Sequence, residues 1–302
     1  MTDARHDASD RDPAAAVQRA AVLGAGTMGH GIAHVLALSG VETCLFDLSE
    51  EAVEAGRSKV AGNLAKGVAR GKVTEEARDA ALARLTGSAD LDVAIEGVQV
   101  AIEAVPERMD IKVDLFGELG SKLGPEVLLA TNTSSLSITE IAEATEHPGR
   151  VVGMHFFNPV HIMKLVEVVR TEHSTDEAAE LALALARRMG KDPIDVRDAP
   201  GFASSRLGIA IGMEAIRMVE EEVASAEDID KAMTLGYGFP MGPLKLTDLV
   251  GLDVRLAIAD YLSTELGDRF NPPQLLREMV ERGDLGKKSG RGFYDWEDAS
   301  GA

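Results

Sequence analysis

The chain has 302 residues, 45% of them hydrophobic, and carries a formal net charge of −19. That length predicts two domains, and the acidic balance argues against nucleic acid or an anionic membrane as a partner. A single cysteine, Cys44, excludes an intramolecular disulfide and a thiolate metal cluster, which suits a reducing cytosol.

Residues 1–18 are polar and charged, with no apolar signal core, and read as a flexible tail. No apolar run approaches the roughly 20 residues of a membrane span, so a soluble, cytoplasmic protein is expected. RAAVLGAG predicts a buried strand breaking into glycine, and TMGHGIAHVLALSG a helix closed by Gly40. VETCLFDLS is a second strand, with Cys44 as a small core residue. A long charged stretch from Ser49 to Leu85 reads as helix, turning at Gly71. VQVAIEAVPE is strand-like, DIKVDLFGELGSKL helical and EVLLATNTS a strand; the next helix starts at SITE, where Ser137 and Glu140 have capping-box spacing. VVGMHFFNP and KLVEVVR follow as strands, then a helix ending at Gly190 and a short strand PIDVR. This alternation predicts an α/β fold with a parallel, doubly wound Rossmann-like sheet over 19–199. From Phe202 onward the pattern holds helices and turns only, so an all-helical C-terminal domain is expected over 200–302. Its GYGFPMGP stretch, Gly236 to Pro243, reads as a rigid interhelical loop.

The first turn carries Gly24-x-Gly26-x-x-Gly29 between a strand and a helix, and the next strand ends in Asp47, 18 residues after Gly29. Gly24 permits the tight turn, Gly26 lets backbone N–H groups approach a pyrophosphate, and Gly29 allows close packing. The helix N-terminus then faces phosphate with its partial positive charge. Asp47 suits the ribose hydroxyls and repels a 2′-phosphate, so NAD is favoured over NADP. The bland alternative is a structural glycine turn with a capping aspartate.

Two polar residues stand in apolar strands, His155 in VVGMHFF and Glu167 in KLVEVV. Strand alternation puts Leu165, Glu167 and Val169 on one face, where an ionised carboxylate is costly unless paired. Taken alone, each admits a core reading: a hydrogen-bonded histidine, or a glutamate paired with an arginine. Together beside a dinucleotide fold they read as a base and the carboxylate that orients it, since imidazole exchanges protons near neutral pH. Asn158 either starts the turn at Pro159 or polarises a substrate carbonyl. The TNTSS residues are either functional or caps for the helix at Ser137.

In order, VLGAGTMGHGIAHVLALSG, ATNTSSLSITEIA, GMHFFNPVHIMKLVEVV, APGFASSRL, EDIDKAMTLGYGFPMGPLKLTDLVGLD and GKKSGRGFYDW resemble the L-3-hydroxyacyl-CoA dehydrogenases from about Ala20 to Trp296. Among them the chain is similar to the short kind acting on 3-hydroxybutyryl-CoA. The resemblance implies a homodimer formed through the helical domain, an acyl-CoA substrate and NAD as cofactor. It implies that His155 is the acid/base, Glu167 its partner, and Ser134 a contact to substrate and nicotinamide. Glu107, Lys112 and Lys288 match cofactor contacts. Asn63 and Arg70 match contacts to coenzyme A, with Lys66 and Lys72 adding local positive charge. Ser205 stands where the family usually has an asparagine reaching the reacting end of the substrate, which leaves the acyl group open. A dicarboxylyl- or aromatic-pathway hydroxyacyl-CoA, or an acyl-carrier-protein thioester, is the alternative substrate. A non-catalytic NAD-binding structural or redox-sensing protein is the other alternative, and it predicts erosion of the His–Glu pair, both members of which are present.

Overall fold

In the computed structural model, residues 12–296 are described, and the chain divides into two units between Asp198 and Ala199. The first is built on eight strands with helices between them. Its elements are β1 (Arg19–Leu23), α1 (Gly29–Leu38), β2 (Glu42–Phe46), α2 (Glu50–Ala69), α3 (Glu75–Arg84), β3 (Leu85–Ser88), α4 (Leu91–Ile95) and β4 (Val100–Glu103). There follow α5 (Met109–Lys122), β5 (Leu128–Thr131), α6 (Ile138–Glu143), β6 (Val151–Phe156), β7 (Leu165–Arg170), α7 (Asp176–Arg188) and β8 (Asp192–Arg197). The turn at Gly71, with φ +63°, separates α2 from α3.

The strands lie in the order β3-β2-β1-β4-β5-β6-β7-β8. Strands β1, β4, β5 and β6 are buried along their length, apart from Arg19, as continuous apolar runs covered by helices require. The order reverses between β1 and β4, and a doubly wound sheet opens a crevice beyond the carboxyl ends of its strands at that point.

The expectation of a parallel sheet needs correction at one side. Strands β1 to β6 pair in parallel, but β7 runs antiparallel to β6, and β8 pairs in parallel with β7. The reason is chain length: only residues 157–164 join β6 to β7, too few for the crossover of a dozen or more residues that a parallel pair needs. The short edge strand β3, Leu-Thr-Gly-Ser, was not anticipated either. Gly87 in it lets α2 approach, because a Cβ there would collide with Val53.

The flexible tail expected over 1–18 also needs correction. Residues 1–11 lie outside the described residues, but residues 13–16 form a 3₁₀ turn capped by Asp12. Ala14 and Val17 are buried, and Arg188 Nη1 donates to both their carbonyls at 2.7 Å. Two apolar side chains and a cation from α7 hold this segment.

The second unit holds α8 (Ser204–Glu220), α9 (Ala226–Lys231), α10 (Pro243–Val250), α11 (Leu252–Leu266) and α12 (Gln274–Glu281) around its own apolar core. Two buried aspartates organise it. Asp230 accepts from the first amides of α10, Leu244 N at 2.8 Å and Lys245 N at 2.9 Å, and so caps that helix. Gly242 is required there, because a Cβ would strike Asp230. Asp248 accepts from Phe293 N, Tyr294 N and Trp296 Nε1, each at 2.9 Å, and fastens the GFYDW segment.

Candidate active site

The glycine loop sits at the switch point. Gly24 has φ +106°, and a Cβ on it would lie 2.6 Å from the Ala104 carbonyl oxygen after β4. A Cβ on Gly29 would collide with the Gly24 carbonyl, so this glycine lets α1 close onto the loop. Gly26 has open space on its Cβ side, where a ligand can meet backbone. Met28, at the N-cap of α1, makes no side-chain cap; His30 N bonds to Gly26 O at 3.2 Å, and the partial positive charge of the helix N-terminus faces the loop, where it suits phosphate. Asp47, just past β2, accepts from Ala25 N at 2.7 Å through Oδ2 and from Leu48 N at 2.8 Å through Oδ1. These bonds hold its carboxylate against the loop.

A cavity of about 820 Å³ opens at this point, lined by Gly24, Gly26, Asp47, Glu107, Lys112, Asn132, Ser134 and His155 among others. One of its walls is a network around Glu107. Glu107 Oε1 accepts from Thr133 Oγ1 at 2.7 Å, Ser134 N at 2.8 Å and Ser134 Oγ at 3.1 Å. Burial favours its neutral form, but the Lys112 charge and the bonds from Thr133 and Ser134 outweigh burial and hold it below the ordinary carboxylate range. Thr133 Oγ1 also accepts from Leu136 N at 3.0 Å, and Ser137 caps α6 through Glu140 N at 3.2 Å. The TNTSS segment therefore both caps local backbone and presents Ser134 to the cavity.

His155 and Glu167 are directly opposite in the β6–β7 register. Facing residues of an antiparallel pair have Cβ atoms about 5 Å apart, within reach of a side-chain bond. His155 Nδ1 lies 2.7 Å from Glu167 Oε2; the histidine is 7% exposed and the glutamate 0%. A neutral imidazole that donates to an ionised carboxylate carries its proton on Nδ1. The Phe157 ring packs against the imidazole at 4.5 Å between centroids.

The loop between these strands is pinned to its surroundings. Val160 is buried against Gly31 of α1, where a Cβ would come within 2.8 Å of it. The His161 ring stacks on His34 of α1 at 5.2 Å. Lys191 Nζ donates to Met163 O at 2.9 Å and to Val160 O. Burial, with the Lys164 charge second, pulls Lys191 down to about 8, and burial, with His161, Lys191 and His30 next, pulls His34 down to about 4.

The cavity thus gathers Gly24, Gly26, Asp47, Glu107, Lys112, Ser134 and His155, with Gly29 and Glu167 directly behind. It does not gather Asn158, which is exposed on the β6–β7 loop, nor Asn63 and Arg70, which lie within and at the end of α2. Ser205 occupies the first turn of α8 in the helical unit. Lys288, in the same unit, is paired with Asp253 at 2.6 Å. Lys112 is 1% exposed and tied to Glu103, so it is as much a core residue as a lining one. The sequence reading missed Glu103 and Asn132, whose Oδ1 accepts from Phe156 N at 2.9 Å. Glu103 carried a signal, as an acid closing the apolar strand VAIE.

Open space over Gly26, a helix N-terminus without a side-chain cap and a carboxylate after β2 fit a dinucleotide, with a carboxylate-paired imidazole on the same cavity. That combination suits hydride transfer at a carbon–oxygen bond, the chemistry of nicotinamide-dependent alcohol oxidoreductases. Residues 19–199 match the family model described as 3-hydroxyacyl-CoA dehydrogenase, NAD binding domain, and residues 201–296 match the corresponding C-terminal domain. The chain belongs to the 3-hydroxyacyl-CoA dehydrogenase family, and its cofactor is NAD. It is 46% identical over 283 residues to a probable 3-hydroxybutyryl-CoA dehydrogenase of Bacillus subtilis, covering 93% of this chain and 98% of that one. The crystal structure of (S)-3-hydroxybutyryl-CoA dehydrogenase PaaH1 from Ralstonia eutropha superposes with a TM-score of 0.90 at 40% identity, covering 93% of this chain and all of that one. A 3-hydroxyadipyl-CoA dehydrogenase of Escherichia coli is 44% identical over 282 residues, covering 93% of this chain and 59% of that protein. Among the described residues, no helix is long and apolar enough to cross a membrane.

Proposed function

We propose that the chain interconverts (3S)-3-hydroxybutyryl-CoA and acetoacetyl-CoA with NAD, as a cytoplasmic homodimer, and that His155 moves the proton. The observation that carries this reading is the buried His155–Glu167 pair, at 2.7 Å, on a cavity that also holds a dinucleotide loop. NAD, when bound, supplies the hydride acceptor for C3. His155 Nε2 takes the 3-hydroxyl proton in oxidation and returns it to the keto oxygen in reduction. Glu167 fixes the tautomer through Nδ1 and stabilises the imidazolium that forms. Gly24, Gly26 and the first turn of α1 receive the pyrophosphate, and Asp47 the adenosine ribose. Glu107 holds Ser134 toward the nicotinamide and the substrate, while Lys112 and Lys288 supply cations to the cofactor. Asn63 and Arg70 receive coenzyme A, with Ser205 donating one hydrogen bond to the acyl end. Asn158 serves as the residue that opens the turn. Exposed apolar side chains on the helical unit, Leu246, Leu249, Val250 and Val254, support self-association through that unit.

Ser205 favours a second reading, in which the same chemistry acts on a dicarboxylyl-CoA; the Escherichia coli relative named for 3-hydroxyadipyl-CoA supports it. Measuring kcat/KM along a series of 3-oxoacyl-CoA thioesters with NADH separates the two. The highest value on acetoacetyl-CoA is expected. A maximum on a dicarboxylyl thioester, or a flat and weak profile, overturns the short-chain assignment.

A further inference from the structure

Glu103, the last residue of β4, is 0% exposed, and Lys112 of α5, at 1%, is nearly as buried. Glu103 Oε1 accepts from Lys112 Nζ at 2.6 Å and from Val105 N at 2.7 Å, and its Oε2 accepts from Thr131 Oγ1 at 2.6 Å. An ion pair buried this deeply is a poor source of stability, because desolvation offsets the attraction and an apolar pair of similar volume does as well. What a carboxylate does here, and an apolar residue cannot, is fix the position of the ammonium. Lys112 Nζ also lies 3.3 Å from Glu107 Oε2. The other oxygen of Glu107 holds the amide and hydroxyl of Ser134. A chain of contacts thus runs Glu103–Lys112–Glu107–Ser134, from the core beneath β4 to a hydroxyl on the cavity wall. Its lengths are unequal: the ammonium is drawn closely onto Glu103 and more loosely onto Glu107. Glu107 is steadied by the cation without being pulled off the Ser134 turn.

We infer that Glu103 is a positioning residue for Ser134, acting through Lys112 and Glu107. This rests on the reading of Ser134 as a contact to cofactor and substrate. E103Q keeps the shape and most of the bonds of Glu103 but removes its charge, leaving Glu107 as the sole carboxylate on Lys112. The ammonium then shifts toward Glu107 and draws that carboxylate off Ser134.

The test is a double-mutant cycle of E103Q with S134A, read as the NADH Kd by fluorescence titration, with circular dichroism to check folding. E103Q is expected to weaken NADH binding about tenfold in the parent and by less than about twofold on top of S134A, the mark of two residues acting on one line. Equal losses in both backgrounds, or no loss at all, overturn the inference, since a general structural role is additive. If E103Q does not fold, E103D keeps the charge but withdraws it by one methylene, and the same cycle decides. A parent that binds no NADH overturns the functional reading itself, a result distinct from a parent that binds and shows additive losses.

Discussion

Replacing Glu167 with glutamine keeps the size of the side chain and one acceptor for His155 Nδ1, and removes only the negative charge. In the structure that charge faces the ring nitrogen at 2.7 Å, with the carboxylate 0% exposed. Taking the charge centres of imidazolium and carboxylate as about 4 Å apart, the attraction is about 4 kcal/mol at an effective dielectric of about 20. The neutral hydrogen bond that glutamine still makes returns about 1 kcal/mol of this. The remaining ~3 kcal/mol corresponds to about two orders of magnitude in rate wherever imidazolium is present in the transition state. The assay is NADH formation from saturating (3S)-3-hydroxybutyryl-CoA and NAD, the direction in which imidazolium forms, together with NADH Kd to show that the cofactor site is intact. The expected result is kcat lowered about a hundredfold with NADH affinity unchanged. E167Q turning over at the parental rate would refute the assignment of Glu167 as the stabiliser of imidazolium.

Asp47→Asn removes the charge that repels a 2′-phosphate, while its amide oxygen can still accept from the glycine loop; the NADPH-to-NADH ratio of kcat/KM should rise about tenfold. An unchanged ratio would place Asp47 away from the ribose. His34 predicts an acid-side loss of stability. Its value falls from 6.5 to about 4 on folding, chiefly through burial, so the unfolded chain binds a proton that the folded chain resists, and stability drops as pH falls through that window. Urea unfolding at the two ends of the window should show a smaller drop for H34Q than for the parent, by about 3 kcal/mol at most. Parallel profiles would show that His34 titrates normally in the folded state.

Most of the sheet was legible because each strand from β1 to β7, β3 excepted, is an apolar run bounded by glycine, proline or charge. Strand β3 was not, since Leu-Thr-Gly-Ser has neither length nor alternation and is a strand only by pairing with β2. The reversal at β7 was implicit in the short 157–164 connection, but apolar patterning says nothing about direction. Docking of residues 13–17 depends on Arg188, more than 170 positions away, and no local pattern announces it. At the site, His155 and Glu167 stood out as titratable groups in apolar strands, while their contact is a matter of cross-strand register. Glu103 and Asn132 act on backbone and on other side chains, so their roles appear only once β4, β5 and β6 lie side by side.

The most direct test of the account is His155→Gln, assayed by NADH consumption with acetoacetyl-CoA and by NADH titration on the same preparation. Removal of a general acid/base predicts kcat lower by about two to four orders of magnitude, with the NADH Kd of the parent retained. Parental turnover in H155Q would contradict the claim that His155 moves the proton.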